Sequence, residues 1–298
     1  MPRLVIIAAI CLAAVQTQAS VLWRGDFESN DLTQWTGLEG LLSRLTVVSS
    51  PVRQGRYALR TELRSGDLAS NGNRNELVST MSITEGMEEY YAWSTMFDSS
   101  YPSAAAWQVF TQWHHSGCCG SPPIEFDVNG ETVSLTSSAR SPAVTLWSTP
   151  LVRGVWHDFV FHVIWSSNPD LGLVELWYDG TKVLAAKAWP TLYSGQTNYL
   201  KQGLYRDSSI QQTGVLYHDG MTVGTTLADV APQLVPGPSP DAGTPDAGTP
   251  DAGTSDAGST PSKDLGTGFQ GGGCATAGPV SALVMAAFAL MRPRRRRS

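Results

Sequence analysis

The sequence predicts an all-β protein, a β-sandwich of jelly-roll type, and three observations predict it. Residues 156–165 run Trp156-His157-Asp158-Phe159-Val160-Phe161-His162-Val163-Ile164-Trp165, dense in the aromatic and β-branched side chains that suit a pleated surface. Residues 173–178 and 181–185 flank Asp179-Gly180, the dipeptide of a type I′ hairpin turn. Gly and Pro punctuate the chain, and no segment carries a long amphipathic helical period. Further strands are expected at 57–64, 74–81, 91–97 and 109–114. About a dozen short strands in a domain of this size suit two packed sheets.

Taken from the N-terminus, the 298 residues divide into segments with different physics. Arg3, the apolar stretch 4–15 and the small residues around Thr17-Gln18-Ala19 read as an export signal over 1–19, too short for a spanning helix. All ten Trp lie between Trp23 and Trp189, which places the core in a domain over 20–232. That domain holds 13 basic and 21 acidic residues, a net charge of −8, so no general basic surface exists and nucleic acid is excluded as a partner. Its only cysteines are the adjacent Cys118 and Cys119. They can form a vicinal disulfide, stay free or bond another chain, and they lack separated partners for zinc. The core, rather than cross-links, must therefore hold the domain.

Three strings in the domain carry chemistry. They are Arg74-Asn75-Glu76-Leu77, then Gln112-Trp113-His114, then Tyr199-Leu200-Lys201-Gln202-Gly203-Leu204-Tyr205-Arg206. Residues two apart on a strand share a face, so Arg74 pairs with Glu76, Gln112 with His114, and Tyr199 with Lys201, Gly203 and Tyr205. One polar sheet face of this kind makes a groove for a chain-like ligand, and Gly203 is expected to leave room for its close approach. Taken singly, Arg-x-Glu reads as a solvated ion pair and Gln-x-His as a structural pair. His115, His157, Asp158 and His162 are expected to be satisfied structural positions.

In this order, within an exported β-rich chain, the three strings resemble those of the jelly-roll polysaccharide lyases, the superfamily that includes alginate lyases, glucuronan lyases and heparin lyase I. The closing Tyr217-His218-Asp219-Gly220 and the Gly154-x-Trp156-His157-Asp158 strand are similar to the heparin-lyase-type branch. The resemblance covers roughly residues 50–225. It implies a concanavalin-like sandwich and brings Gln112, His114, Lys201 and Tyr205 forward as site residues. Arg60-Thr61-Glu62-Leu63-Arg64 matches the first motif more fully than the string at Arg74 does. Arg74 is preferred because it lies nearer the Gln-x-His strand, with Arg60 and Arg64 kept as groove residues. Tyr199, Glu76 and Arg206 complete the expected substrate-binding set.

The resemblance implies elimination on an anionic polysaccharide containing uronic acid. Such a reaction removes the proton at C5, beside a carboxylate, and expels the oxygen at C4. Donors on the carboxylate stabilise the developing charge, and Gln112 and Arg74 supply an amide and a forked cation. His114 and Tyr205 are the candidate base and acid. Where proton and leaving oxygen lie on one side of the ring, as in glucuronate or mannuronate, Tyr205 serves for both. Where they lie opposite, as in guluronate or iduronate, His114 is the base and Tyr205 the acid. Lys201 would assist Tyr205 or bind a carboxylate or sulfate. The few cations, Arg60, Arg64, Arg74, Lys201 and Arg206, suit a carboxylated polymer better than a heavily sulfated one. No cofactor is required, and although a structural calcium suits such folds, no acidic cluster demands it. A monomer is expected.

Two other classes compete. A glycoside hydrolase needs two carboxylates across the bond. Glu125 and Asp127 share a face, but Glu131 follows the Asn129-Gly130 turn and leaves it. A binding or adhesin module would keep the groove without the chemistry.

Beyond the domain, the segment 233–270 repeats Pro-Asp-Ala-Gly-Thr from Pro240, with almost nothing to bury, and reads as an extended tether. The final segment, 271–298, joins Gly271-Gly272-Gly273-Cys274, an apolar run over 275–291 and an arginine cluster over 292–297. At 17 residues the run is at the lower limit of a membrane span, with the arginines on the cytoplasmic side. The arrangement resembles the myxobacterial C-terminal sorting tag. It implies an exported protein held at the outer surface or membrane, or released after processing near Cys274.

Overall fold

The computed structural model describes residues 20–79, 81–117 and 120–235. The expected signal, tether and tag, and the Cys118-Cys119 pair, lie outside the described residues. In chain order the strands are β1 (Val21–Gly25), β2 (Gly37–Glu39), β3 (Leu45–Val48), β4 (Ala58–Leu63), β5 (Leu68–Ala69), β6 (Gly72–Val78), β7 (Glu88–Phe97) and β8 (Trp107–His115). They continue with β9 (Ile124–Asn129), β10 (Thr132–Ser137), β11 (Val144–Pro150), β12 (Trp156–Ile164), β13 (Leu173–Tyr178), β14 (Thr181–Ala188), β15 (Asn198–Arg206) and β16 (Gly214–Gly224). One short helix, α1 (Leu227–Val230), follows. Among the described residues no helix is long and apolar enough to cross a membrane.

The strands form two eight-stranded antiparallel sheets. The first runs β14-β13-β12-β7-β16-β4-β3, with β1 also paired to β16. The second runs β11-β10-β9-β8-β15-β6-β2, with β5 paired to β6. Strands far apart in sequence are thus neighbours: β15 lies between β8 and β6, which brings all three chemical strings onto adjacent strands.

Alternation decides which side of each strand is inside. On the first sheet Leu59, Trp93, Phe97, Phe159 and Phe161 turn inward, and on the second Phe110, Trp113, Phe126, Leu200 and Leu204 do so. The aromatic rings interlock. Trp93 stacks on Phe159 within the first sheet with centroids 5.0 Å apart, and across the gap it meets Phe126 edge-on at 5.1 Å while Phe97 meets Phe110 at 5.2 Å. Truncating a fully buried Trp such as Trp113 would cost about 3–5 kcal/mol. Side chains one place from these core residues on the second sheet point to its outer face, and there the groove lies.

The hairpin turn at Asp179-Gly180 has φ of 47° and 78°, the left-handed pair that a type I′ turn requires. The strand expected at 74–81 instead starts at Gly72 and stops at Val78. Just past that point Ser79 N–H still donates to the Leu200 carbonyl of β15, at 2.9 Å.

Three hydrogen bonds tie the sheets beneath the groove. Asn75 Nδ2 donates to the Glu62 carbonyl of β4 at 2.8 Å. His218 Nε2, on β16, lies 3.3 Å from the Gly203 carbonyl of β15, and its Nδ1 lies 3.0 Å from Thr95 Oγ1. A carbonyl only accepts, so Nε2 carries a proton, and burial keeps the ring neutral at pH 7. Asn73 Nδ2 reaches the Arg64 carbonyl at 2.8 Å.

Candidate active site

The outer face of the second sheet carries a groove of about 650 Å³, whose lining includes Arg74, Trp107, His114, Glu125, Asp127 and Tyr205. Register explains the assembly. Across β15 and β8, Tyr199 stands opposite His114 and Lys201 opposite Gln112. Across β15 and β6, Tyr205 stands opposite Arg74. Gln112 stands opposite Glu125 of β9.

The groove has an open layer and a buried one. His114 and Tyr205 are partly exposed, and Trp107 packs edge-on against Tyr205 at 4.7 Å. The Arg74 guanidinium carbon sits 3.7 Å from the Tyr205 ring centroid, which holds ring and cation together. Gly72 is needed beneath them: a Cβ there would come within 2.6 Å of the Tyr205 ring. Below lie Gln112, Lys201 and Glu76, all buried. Gln112 Nε2 donates to Glu76 Oε1 at 2.5 Å, and Arg74 Nη1 lies 3.4 Å from Glu76 Oε2. Burial pushes the Glu76 carboxyl up, and the nearby Lys201 and Arg74 only partly oppose this. Glu76 therefore orients Gln112 and Arg74 from below, in place of the substrate contact expected of it.

His114 is held in one tautomer. Its Nδ1 lies 2.9 Å from the His115 carbonyl oxygen, so Nδ1 donates and Nε2 keeps the lone pair. Burial lowers the imidazole from its ordinary value, so the neutral form prevails at pH 7. Tyr199 flanks this ring at 5.7 Å. His115 is buried against Gln196 at 3.2 Å, and His157, Asp158 and His162 are engaged with neighbouring side chains on the first sheet.

Four expectations need correction. Arg60 and Arg64 lie on and just past β4, in the other sheet, where both are ion-paired to Glu62 at 2.8 and 2.5 Å. Their motif has the same alternation as the one at Arg74, and alternation does not say which sheet a strand joins. Arg206 has the opposite parity to Tyr205 and turns inward, 1% exposed, donating to Asn73 and to the Gln212 carbonyl. Gly203 does not make room for a ligand. With φ of 151°, it lets β6 approach, since a Cβ would lie 2.3 Å from the Asn75 carbonyl oxygen.

Glu39 is a site residue that sequence reasoning missed. It comes from the short edge strand β2, opposite Glu76. Its Oε1 lies 2.7 Å from Lys201 Nζ and its Oε2 2.9 Å from Arg74 Nη1. No local pattern marks it, because only the sheet order brings it to Lys201 and Arg74. Trp107 was missed as well: it heads the strand that carries Gln112 and His114, just outside the stretch expected at 109–114. On the groove wall, burial and the neighbouring Asp127 and Glu76 charges push Glu125 up to about 8, and burial pushes Asp127 up to about 6. Among the described residues no group of three or more His, Cys, Asp or Glu is placed to hold a metal ion.

Comparison with known proteins bears on the family and the fold. The family model described as polysaccharide lyase matches residues 23–222. Endo-β-1,4-glucuronan lyase from the fungus Trichoderma reesei superposes with a TM-score of 0.60 at 20% identity, covering 71% of this chain and 98% of that one. The PL-14 alginate lyase of Aplysia kurodai gives 0.52 at 8% identity over 69% and 99% of the two chains. The catalytic domain of a glycoside hydrolase family 131 protein from Coprinopsis cinerea gives 0.52 at 14% identity over 68% and 93%. At these identities the likeness shows the fold. No curated protein sequence matches the chain.

Proposed function

We propose, from the premise that the chain belongs to the polysaccharide lyase family, that it cleaves a uronic-acid-containing polymer by β-elimination in the groove of the second sheet. One observation carries the reading: His114, neutral and with Nε2 as its lone-pair nitrogen, lines the same groove as Tyr205 and Arg74. His114 takes the C5 proton. The C5–H electron pair becomes the C4=C5 double bond, the C4–O bond breaks, and the Tyr205 hydroxyl protonates the leaving oxygen. Arg74 and Lys201, with the amide of Gln112, receive the carboxylate whose charge grows in the transition state. These roles suit a uronate whose C5 proton and C4 oxygen lie on opposite faces. On a uronate with both on one face, Tyr205 serves as base and acid.

The wall carboxyl of Glu125 opposes a polyanion less than a charged one would. Glu125, raised to about 8, is largely uncharged at pH 7, so the groove is less negative than its composition suggests. The pair Glu125 and Asp127 also favours a second reading, hydrolysis of a glycosidic bond, because both stand in the groove and a hydrolase needs two carboxyl groups. They stand side by side on β9, however, and not across the groove from each other. The products decide between the two. Elimination leaves an unsaturated uronate that absorbs ultraviolet light, and hydrolysis does not. An assay across glucuronan, alginate, heparin and hyaluronan that releases sugar ends without that absorbance would replace the lyase reading by the hydrolase. Binding without cleavage would leave an adhesin.

The proposal extends to location: a protein exported by residues 1–19 and kept at the surface by residues 271–298. Deletion of 271–298 should then move the protein from the membrane fraction to the medium.

A further inference from the structure

The cations expected to meet the substrate are already in use. Lys201 Nζ and Arg74 Nη1 each hold one oxygen of Glu39, at 2.7 and 2.9 Å. The side chains of Lys201 and Arg74 are only 2% and 9% exposed, whereas that of Glu39 is 23% exposed. Glu39 is thus the member of the cluster nearest solvent, and it occupies the two cations, of which Arg74 also lines the groove. Its backbone is secured apart from its carboxylate: β2 pairs with β6, and Leu41 N–H donates to Asn75 Oδ1 at 2.8 Å. The side chain can therefore swing away without unpairing the strand.

We propose that Glu39 is an internal occupant of the uronate-carboxylate subsite, and that the substrate's carboxylate replaces it on Arg74 and Lys201. The inference rests on the uronate-lyase reading of this groove. The charge balance favours an exchange of like for like. Burial works to raise the Glu39 carboxyl, but Lys201, Arg74 and a hydrogen bond from Ser70 together outweigh it, so the group stays below its ordinary range and ionised. Glu76 beneath is pushed the other way by burial. Glu39 is thus the ionised carboxylate on the solvent side of the two cations, and a uronate carboxylate offers the same charge and the same two oxygens. A neutral glycan offers neither and leaves Glu39 in place. Glu39 would then act as a specificity filter that admits only sugars able to displace a carboxylate. It also keeps two buried cations from standing unpaired in the free enzyme, a condition that is costly in itself.

The test is calorimetric titration of oligoglucuronate, oligomannuronate and oligoguluronate, and of neutral cello-oligosaccharide, into Tyr205→Phe and Tyr205→Phe/Glu39→Gln proteins. Removing the competing charge while keeping the shape should tighten the uronate that fits by about tenfold and leave the neutral oligomer unchanged. Glu39→Asp, too short to span both cations, should give an intermediate gain, and thermal melting checks that all variants are folded. Weaker or unchanged binding of every uronate in the Glu39→Gln protein would show that Glu39 is a fixed partner of Lys201 and Arg74 and would overturn the proposal. The ultraviolet assay on the wild-type enzyme separates the two readings. Tighter uronate binding without elimination sinks the lyase and keeps the exchange, and elimination without tighter binding does the reverse.

Discussion

The His114 ring donates Nδ1–H to a backbone carbonyl, which leaves Nε2 without a proton, and burial lowers its pKa below the usual 6.5. A base with a lowered pKa keeps its lone pair to lower pH. The acid limb of kcat/KM should therefore fall below pH 6.5, and His114→Gln should remove both that limb and most of the turnover. An acid limb above pH 7 in the wild type would exclude His114 as the base. Tyr205→Phe removes one hydroxyl and keeps the ring between Arg74 and Trp107. We expect kcat to fall by about 10²-fold or more with little change in KM, followed through the ultraviolet-absorbing product. The types of these two residues and their shared face were legible in the sequence through spacing of two and resemblance. Glu39 was not, because it lies on a separate short strand whose position depends on sheet order.

At the level of the strand, β15 is held close to β6 by Gly203. The alanine variant would place a Cβ 2.3 Å from the Asn75 carbonyl oxygen and 2.7 Å from the Glu76 Cα, at a φ of 151°. Gly203→Ala should therefore cost about 1–3 kcal/mol in urea denaturation. Because the strain falls between Tyr205 and Lys201, it should also cost activity out of proportion to stability. A variant as stable and as active as the wild type would show that the two strands can part without harm. The strands at β4, β7, β8, β12 and the β13–β14 hairpin were readable from aromatic alternation and the Asp179-Gly180 turn. Short strands such as β2 and β5, of three and two residues, show no period and exist only because a neighbour supplies their hydrogen bonds.

For the whole molecule, the buried joint between the sheets contributes acid sensitivity. Burial lowers His218 to about 3 from its ordinary 6.5, with the Gly203 carbonyl opposing. Between those values the unfolded chain binds a proton that the folded one refuses, so stability falls as pH drops, by about 1.4 kcal/mol per pH unit for one such group. His218→Gln should flatten the stability profile between pH 6.5 and 4.5, as read by urea denaturation at several pH values. A slope identical to the wild type would remove His218 as a source of acid sensitivity. The groove has its own pH dependence. Above about pH 8 Glu125 ionises, and the added negative charge should raise KM for a polyanion. In Glu125→Gln that rise should be absent.

The sequence by itself determined the all-β class, the inward and outward alternation of the long strands, and the residue types of the site. Each of these follows from chemistry that is local along the chain: period-two burial, turn dipeptides and spacing of two. Only the tertiary structure decided between the two arginine motifs, because β4 and β6 carry the same alternation and differ only in the sheet they join. It also turned Arg206 inward, gave Gly203 to strand packing, and set Glu39 on Lys201 and Arg74. These depend on hydrogen-bonded partners far apart in the sequence, and pairing of that kind is settled only when both sheets close on a common aromatic core.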